Sequence, residues 1–312
     1  MTSPLEALLA VLPNFTLHDF HIGHAFKLGP WNIPALPIHP FGVLVATGVI
    51  VGSRLATHRA TKLGLDLEIF ERLVFATVLT GFVLSHVLDA IFYHPDEVSA
   101  NPLYLIEIWQ GLSSFGGFFG AAIGYFVYSR INHVDVWRSA DAIAYGLPVA
   151  WMFGRAGCTV VHDHPGNPST SFIAMQFPER PEIHLPAGSY LDLGLTELLL
   201  TPIVIAAVFF VASRTRKPGS TIATLALVYP WIRFPLDNLR LQDHNGGDLR
   251  YWGLTPGQYA SVLCFGIGLL ILRLTRDLRE DSPSPAAARA PGSSARTEAP
   301  RKAPSATTKK KK

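Results

Sequence analysis

Seven apolar stretches, at residues 37–53, 73–93, 115–128, 140–153, 191–212, 220–232 and 258–274, follow one another along the chain. They are too long and too closely spaced to be core elements of a water-soluble domain. A helix that crosses a bilayer needs about 20 mostly apolar residues. The third, fourth and sixth stretches reach that length only with their Gly-, Ser- and Tyr-containing flanks. Charged residues make up 16% of the chain, against about a quarter in soluble domains. An open strand edge cannot be satisfied in lipid, so the expected fold is all-α, a polytopic bundle of about seven transmembrane helices. An ordinary soluble enzyme and a disordered chain are excluded. Cys158 and Cys264 are too few for a disulfide framework or a structural zinc site.

The formal net charge is +3, yet residues 281–312 alone carry +6, which leaves −3 on the rest. The basic balance belongs to the tail, so no nucleic-acid partner is expected. Ser, Pro, Ala and Arg dominate that tail, which ends in four lysines at 309–312 and reads as disordered. The expected organisation is an extracytoplasmic arm over 1–36, a membrane bundle over 37–276 and a basic cytoplasmic tail over 277–312. Residues 1–19 of the arm read as an amphipathic surface segment. Loop charges set the orientation. Arg54, Arg59 and Lys62, then Arg130 and Arg138, then Arg214, Arg216 and Lys217, and finally Arg273, Arg276 and Arg279 lie in alternate connections. The second connection has Asp96, Glu97 and Glu107 without Lys or Arg. The positive-inside rule then puts the N-terminus outside and the C-terminus in the cytoplasm.

Arg155, Arg180, Arg233, Arg240 and Arg250 fall on the outer side. Arg155 and Arg233 end apolar stretches, where an ionisable group is costly and faces a partner or a wet cavity. A guanidinium fork pairs bidentately with phosphate, which points to an anionic lipid headgroup. Internal pairing, Arg155 with Asp163 and Arg233 with Asp237 at i+4, is the alternative, and the two readings can coexist. His162-Asp163-His164 forms a polar cluster just beyond Arg155. A histidine with its unperturbed pKa of about 6.5 is a natural general base; a turn held by Asp–backbone bonds is the plainer reading. Adjacent residues do not converge on one ion without a distant third ligand, so no metal is expected. Cys158 reads as a buried small hydrophobe. Trp109, Trp151, Trp231 and Trp252 lie near span ends and read as an interfacial belt.

In order along the chain come Phe92-Tyr93, Asn101-Pro102-Leu103-Tyr104, Ile108-Trp109-Gln110-Gly111 and Ser114-Phe115-Gly116-Gly117. Gly154-Arg155-Ala156-Gly157 follows, then Asp163, Gly166 and Phe172-Ile173-Ala174-Met175-Gln176-Phe177-Pro178. Glu197, the run from Arg233 to Arg240, and Gly253-Leu254-Thr255-Pro256-Gly257-Gln258 complete the series. In this order the sequence resembles the prolipoprotein diacylglyceryl transferases over roughly residues 37–274. The resemblance implies a multi-pass protein of the bacterial inner membrane with its site on the extracytoplasmic side. It also implies transfer of diacylglycerol from phosphatidylglycerol to the lipobox cysteine of preprolipoproteins. The implied partners are phosphatidylglycerol, preprolipoprotein signal peptides and membrane lipid, and no cofactor is expected. Arg155 and Arg233 correspond to family arginines that engage the phospholipid, and Arg240, Glu197, Gly154 and Gly157 match positions of the same frame. Asp163 and Asp237 stand where the family has glutamate.

Several positions depart from the family. Its third span opens with Ser-Phe-His-Gly-Gly, whose histidine is regarded as essential, and that position here is Gly116. A family tyrosine is Phe41, an asparagine is Cys158, and an arginine of the second span is His86. The expected base is then His162 or His164, with His86 behind them and Asp163 in support. With the family histidine absent, a non-catalytic lipid- or lipoprotein-binding relative is the alternative.

Overall fold

The computed structural model describes residues 20–22, 26–28, 31–33, 36–107, 111–181, 184–241 and 250–280. The surface segment expected at 1–19, Trp109 and the tail beyond 280 lie outside the described residues. Eight α-helices are present among those described: α1 (Pro40–Lys62), α2 (Leu67–Tyr93), α3 (Pro95–Ala100), α4 (Ser114–Ile131), α5 (Val136–Val161), α6 (Leu193–Arg214), α7 (Ser220–Leu236) and α8 (Pro256–Leu274). All but α3 have 17 residues or more and coincide with the seven apolar stretches. By length and composition α1, α2, α6 and α8 are long and apolar enough to cross a membrane. Phe75, Phe82, Phe118, Phe126, Ile203, Phe210 and Val262 point outward without cover. An apolar surface this broad suits lipid rather than water. The chain is a helical membrane protein.

Two expectations change. The fold is mostly helical but not all-α. Four short strands, β1 (Phe20–Ile22), β2 (Phe26–Leu28), β3 (Trp31–Ile33) and β4 (Leu36–Ile38), pair antiparallel before α1. Three more, β5 (Pro165–Pro168), β6 (Ala174–Phe177) and β7 (Gly188–Asp192), form an antiparallel sheet in the order β5-β7-β6 between α5 and α6. Met175, Phe177, Leu185 and Tyr190 give this sheet a small core of its own. The helices also outrun the apolar stretches, so Arg54, Arg59 and Lys62 lie on the last turns of α1 and Arg155 and Cys158 lie inside α5. A helix continues into its polar ends because leaving it would strand backbone donors and acceptors.

The bundle is built of close pairs, α1 with α5, α2 with α4 and α7 with α8, and α6 joins α5 to α7. Small residues permit the approach: a Cβ on Gly146 of α5 would sit 2.0 Å from the carbonyl oxygen of Gly52 in α1. Polar clasps gather the basic segments at one end. Arg59 donates to the carbonyl of Thr215 at 2.9 Å, Arg138 to that of Glu280 at 2.9 Å and Lys217 to that of Arg276 at 2.8 Å. Asp141 accepts from the backbone of Gly219, Thr221 and Ile222 at 2.7–2.9 Å and so caps α7, whose own N-cap glycine has no side chain to do it. Arg155 lies on the same helix as Arg138, roughly 25 Å farther along at about 1.5 Å per residue. The arginines at the far ends of α5 and α7 are thereby separated from the basic end.

Candidate functional site

At that far end α5, α6 and α7 converge on one carboxylate. Glu197, one turn into α6, is 1% exposed. Its Oε2 lies 3.2 Å from Arg155 Nε and accepts from Arg233 Nη1 at 3.0 Å. Its Oε1 accepts from Trp151 Nε1 at 2.9 Å and from the Tyr229 hydroxyl at 2.8 Å. Four donors leave the buried anion well compensated. Trp151 and Tyr229 each precede an arginine by four residues, so each pair shares one helix face. Arg155 also lies over the Trp151 ring, 4.6 Å from its centroid. Trp151 is therefore part of the polar site, and the belt reading does not describe it.

The network continues along the chain. Arg233 Nη2 is 2.8 Å from Asp237 Oδ1, the i+4 pair considered from sequence as the alternative. Asp237 Oδ1 also accepts from Arg240 Nε at 3.2 Å, and its Oδ2 accepts from the Thr255 hydroxyl at 2.6 Å. Thr255 begins α8 with a reciprocal capping box to Gln258. Arg155, Glu197, Arg233, Asp237 and Arg240 thus alternate in sign, three cations against two anions. The side chains of both acids are 1% exposed, while those of Arg155, Arg233 and Arg240 are 11%, 14% and 19% exposed. The acids are the more deeply buried members of the network. Arg155 takes Glu197 as its ion-pair partner, in place of the Asp163 pairing considered from sequence.

The glycines differ in role. Gly157 lies against the Phe41 ring, where a Cβ would meet the ring at 2.8 Å, whereas a Cβ on Gly154 would meet nothing within 4 Å. Gly157 lets α1 pack on α5, and a side chain at Gly154 would enter open space. Gly116, at the family's histidine position, is buried in the α2–α4 contact. A Cβ there would lie 2.7 Å from the Leu84 carbonyl oxygen and 3.0 Å from Ser85 Cα. The backbones have closed over this position.

Two of the three expected bases are structural fasteners. His86 is fully buried, with Nδ1 3.0 Å from the Gly111 carbonyl oxygen and Nε2 2.9 Å from that of Tyr104, so it ties α2 to the loop before α4. Among the described residues, neither of its ring contacts reaches the arginine network. His162 is fully buried and ends α5 in the left-handed conformation, φ 51°. Its Nδ1 meets Asp192 Oδ2 at 2.7 Å, and its carbonyl accepts from Arg180 at 2.7 Å. His164 differs: its side chain is 27% exposed and bonded to that of Asp163. Cys158 Sγ, Asp163 and His164 present ligand-type atoms all within 4.8 Å of one another, and Arg155 Nη1 is 3.8 Å from Sγ. Cys158 is thus the distant third member that adjacency alone did not supply. A backbone bridge from Gly166 to Arg240 brings this turn onto the end of the arginine chain.

Comparison with known proteins follows the same path. The sequence profile described as prolipoprotein diacylglyceryl transferase matches residues 30–274. A phosphatidylglycerol–prolipoprotein diacylglyceryl transferase of Chromohalobacter salexigens is 28% identical over 241 residues, covering 76% of this chain and 86% of the relative. One from Zymomonas mobilis is 27% identical over 263 residues, 81% and 91% of the two chains. A third, from Phenylobacterium zucineum, is 30% identical over 252 residues, 76% and 84%.

Proposed function

The chain belongs to the prolipoprotein diacylglyceryl transferase family, and from that premise we propose that it transfers the diacylglyceryl group of phosphatidylglycerol to the lipobox cysteine thiol of preprolipoproteins. All seven long helices span the inner membrane, with the N-terminus outside and the arginine network at the extracytoplasmic end. A thiolate attacks the glycerol carbon, the S–C bond forms, the C–O bond to phosphate breaks and glycerol phosphate departs. Charge grows on the phosphate oxygens, where preorganised donors in a dry site help most. Arg155 and Arg233 supply those donors. A guanidinium has five N–H groups, and Glu197 aims both arginines by occupying one donor of each. Asp237 does the same for Arg233 and Arg240. The observation that carries this reading is the network itself, two fully buried acids pairing with three arginines whose side chains keep a small exposure.

The acceptor must be deprotonated, since a free cysteine has a pKa of about 8.5 and only a few per cent is thiolate at neutral pH. Of the expected bases, only His164, paired with Asp163, keeps a partly exposed side chain. The closed Gly116 position favours one other reading, a non-catalytic lipid- or lipoprotein-binding relative. Complementation separates the two. The chain is expressed in a host depleted of its own transferase, and thioether-linked lipid is followed on a reporter lipoprotein. Lipidation is expected; its absence from a chain shown to be inserted overturns the transferase reading in favour of the binding one.

A further inference from the structure

The turn after α5 brings a carboxylate and an imidazole to a thiol on the last turn of that helix, and the fold holds the turn firmly. His162 reverses the chain in the left-handed region, and its bonds to Asp192 and Arg180 fix the reversal from both sides. Asp163 and His164 are thereby returned over the last turn of α5, where Cys158 lies as a free thiol. Cys158 is buried, while the side chains of Asp163 and His164 are 40% and 27% exposed. The cluster is closed on the helix side and open on the other.

Sulfur, oxygen and nitrogen are the donors zinc takes, at about 2.0–2.3 Å in tetrahedral geometry. Ligand atoms around such an ion stand roughly 3.3–3.8 Å apart; these three lie within 4.8 Å of one another, and binding exchanges the Asp163–His164 hydrogen bond for bonds to the metal. Thiolate and carboxylate together balance a divalent charge. The guanidinium N–H of Arg155 directed at Sγ is the kind of outer hydrogen bond that supports a metal-bound thiolate. Three protein ligands leave a fourth position open, the arrangement of zinc sites that bind a reactant rather than brace a fold.

We propose that Cys158, Asp163 and His164 form a three-ligand Zn²⁺ site whose open position takes the acceptor thiol as a thiolate. The second half rests on the transferase reading above. A thiol that coordinates zinc is deprotonated outright, and here its proton passes to solvent. The bound sulfur then donates its electron pair to the glycerol carbon while the C–O pair leaves with the phosphate, next to Arg155. Activation by a metal requires no histidine at Gly116. It uses Cys158 and Asp163, two positions at which this chain departs from the family pattern.

The test uses the full chain in detergent, stripped with a chelator and titrated with Co²⁺ as a coloured stand-in for Zn²⁺. One Co²⁺ per chain is expected, with thiolate-to-cobalt charge-transfer absorption that Zn²⁺ abolishes and that C158S and H164A lack. D163N, closest in shape to the native chain, weakens binding about tenfold or more. A lipobox peptide with its cysteine intensifies the band, and the same peptide with serine leaves it unchanged. No bound Co²⁺, or a band that survives in C158S, overturns the site. Bound Co²⁺ that ignores the cysteine peptide overturns the thiol role. Lipidation by metal-free protein at the rate of zinc-loaded protein also overturns the proposal and leaves the transferase reading intact. A band that responds to peptide in a chain that fails complementation keeps the site and removes that reading instead.

Discussion

The Oε2 of Glu197 lies 3.2 Å from the Nε of Arg155 and joins the beginning of α6 to the outer end of α5 beneath the surface of the bundle. The carboxylate is almost fully buried and its partner only slightly less so. Removing one member of such a pair leaves an uncompensated charge, which costs far more than the intact pair contributes. Glu197→Ala is therefore expected to destabilise the protein by about 3–5 kcal/mol. Glu197→Gln keeps the volume and loses the aim of both arginines, so lipidation falls at least about tenfold. Thermal unfolding in detergent and the thioether assay read the two effects separately.

Arg155→Ala is expected to abolish lipidation while the chain still inserts. Arg155→Lys keeps the charge but loses the planar fork and the stacking on Trp151, and is expected to retain only a small fraction of activity. Near-normal turnover in the alanine variant would remove Arg155 from phosphate stabilisation.

Restoring a histidine at position 116 is expected to fail. Its Cβ would press on the Leu84 carbonyl at 2.7 Å, and overpacking of this kind typically costs about 1–3 kcal/mol. Gly116→His should unfold at lower temperature than wild type and show no gain in lipidation. A gain would mean that α2 and α4 can separate to admit the ring.

His86→Ala removes the one N–H that the neutral ring donates to the Gly111 or Tyr104 carbonyl, at about 1–3 kcal/mol for the group left unsatisfied. Amide exchange in residues 101–113 should rise. A role as base predicts the opposite pattern, lost turnover with unchanged loop protection.

Glu280 accepts from the Arg216 amide and the Thr215 hydroxyl, and these bonds hold its pKa below the ordinary 4.5. Its folded pKa is depressed, so the stabilisation is fully present above 4.5 and is lost as pH falls through the lower folded value. Exchange at the Arg216 amide, corrected for its intrinsic pH dependence, should be flat from pH 7 to 5 and less protected in stronger acid. Glu280→Gln should show the weaker protection already at pH 7.

Part of the network was legible. The i+4 spacing from Arg233 to Asp237 allowed the internal pairing weighed as an alternative, and the structure contains that pair. The four-residue spacings of Trp151 before Arg155 and Tyr229 before Arg233 carried the same information, but indole and phenol near a span end also fit a lipid interface. His86 and His162 were chosen for their chemistry, and their burial against carbonyls and Asp192 depends on segments distant in sequence.

By itself the sequence determined where the long helices lie and which helix ends carry the arginines. Apolar length and charge are properties of single segments, and the bilayer cost acts on each segment separately. Only the tertiary structure decided that Arg155 meets Glu197, 42 residues away in sequence, and that Cys158 closes on Asp163 and His164. Those meetings depend on how far each helix is rotated and how closely it packs. At contacts such as Gly52 against Gly146, that is set by the shapes of two surfaces together.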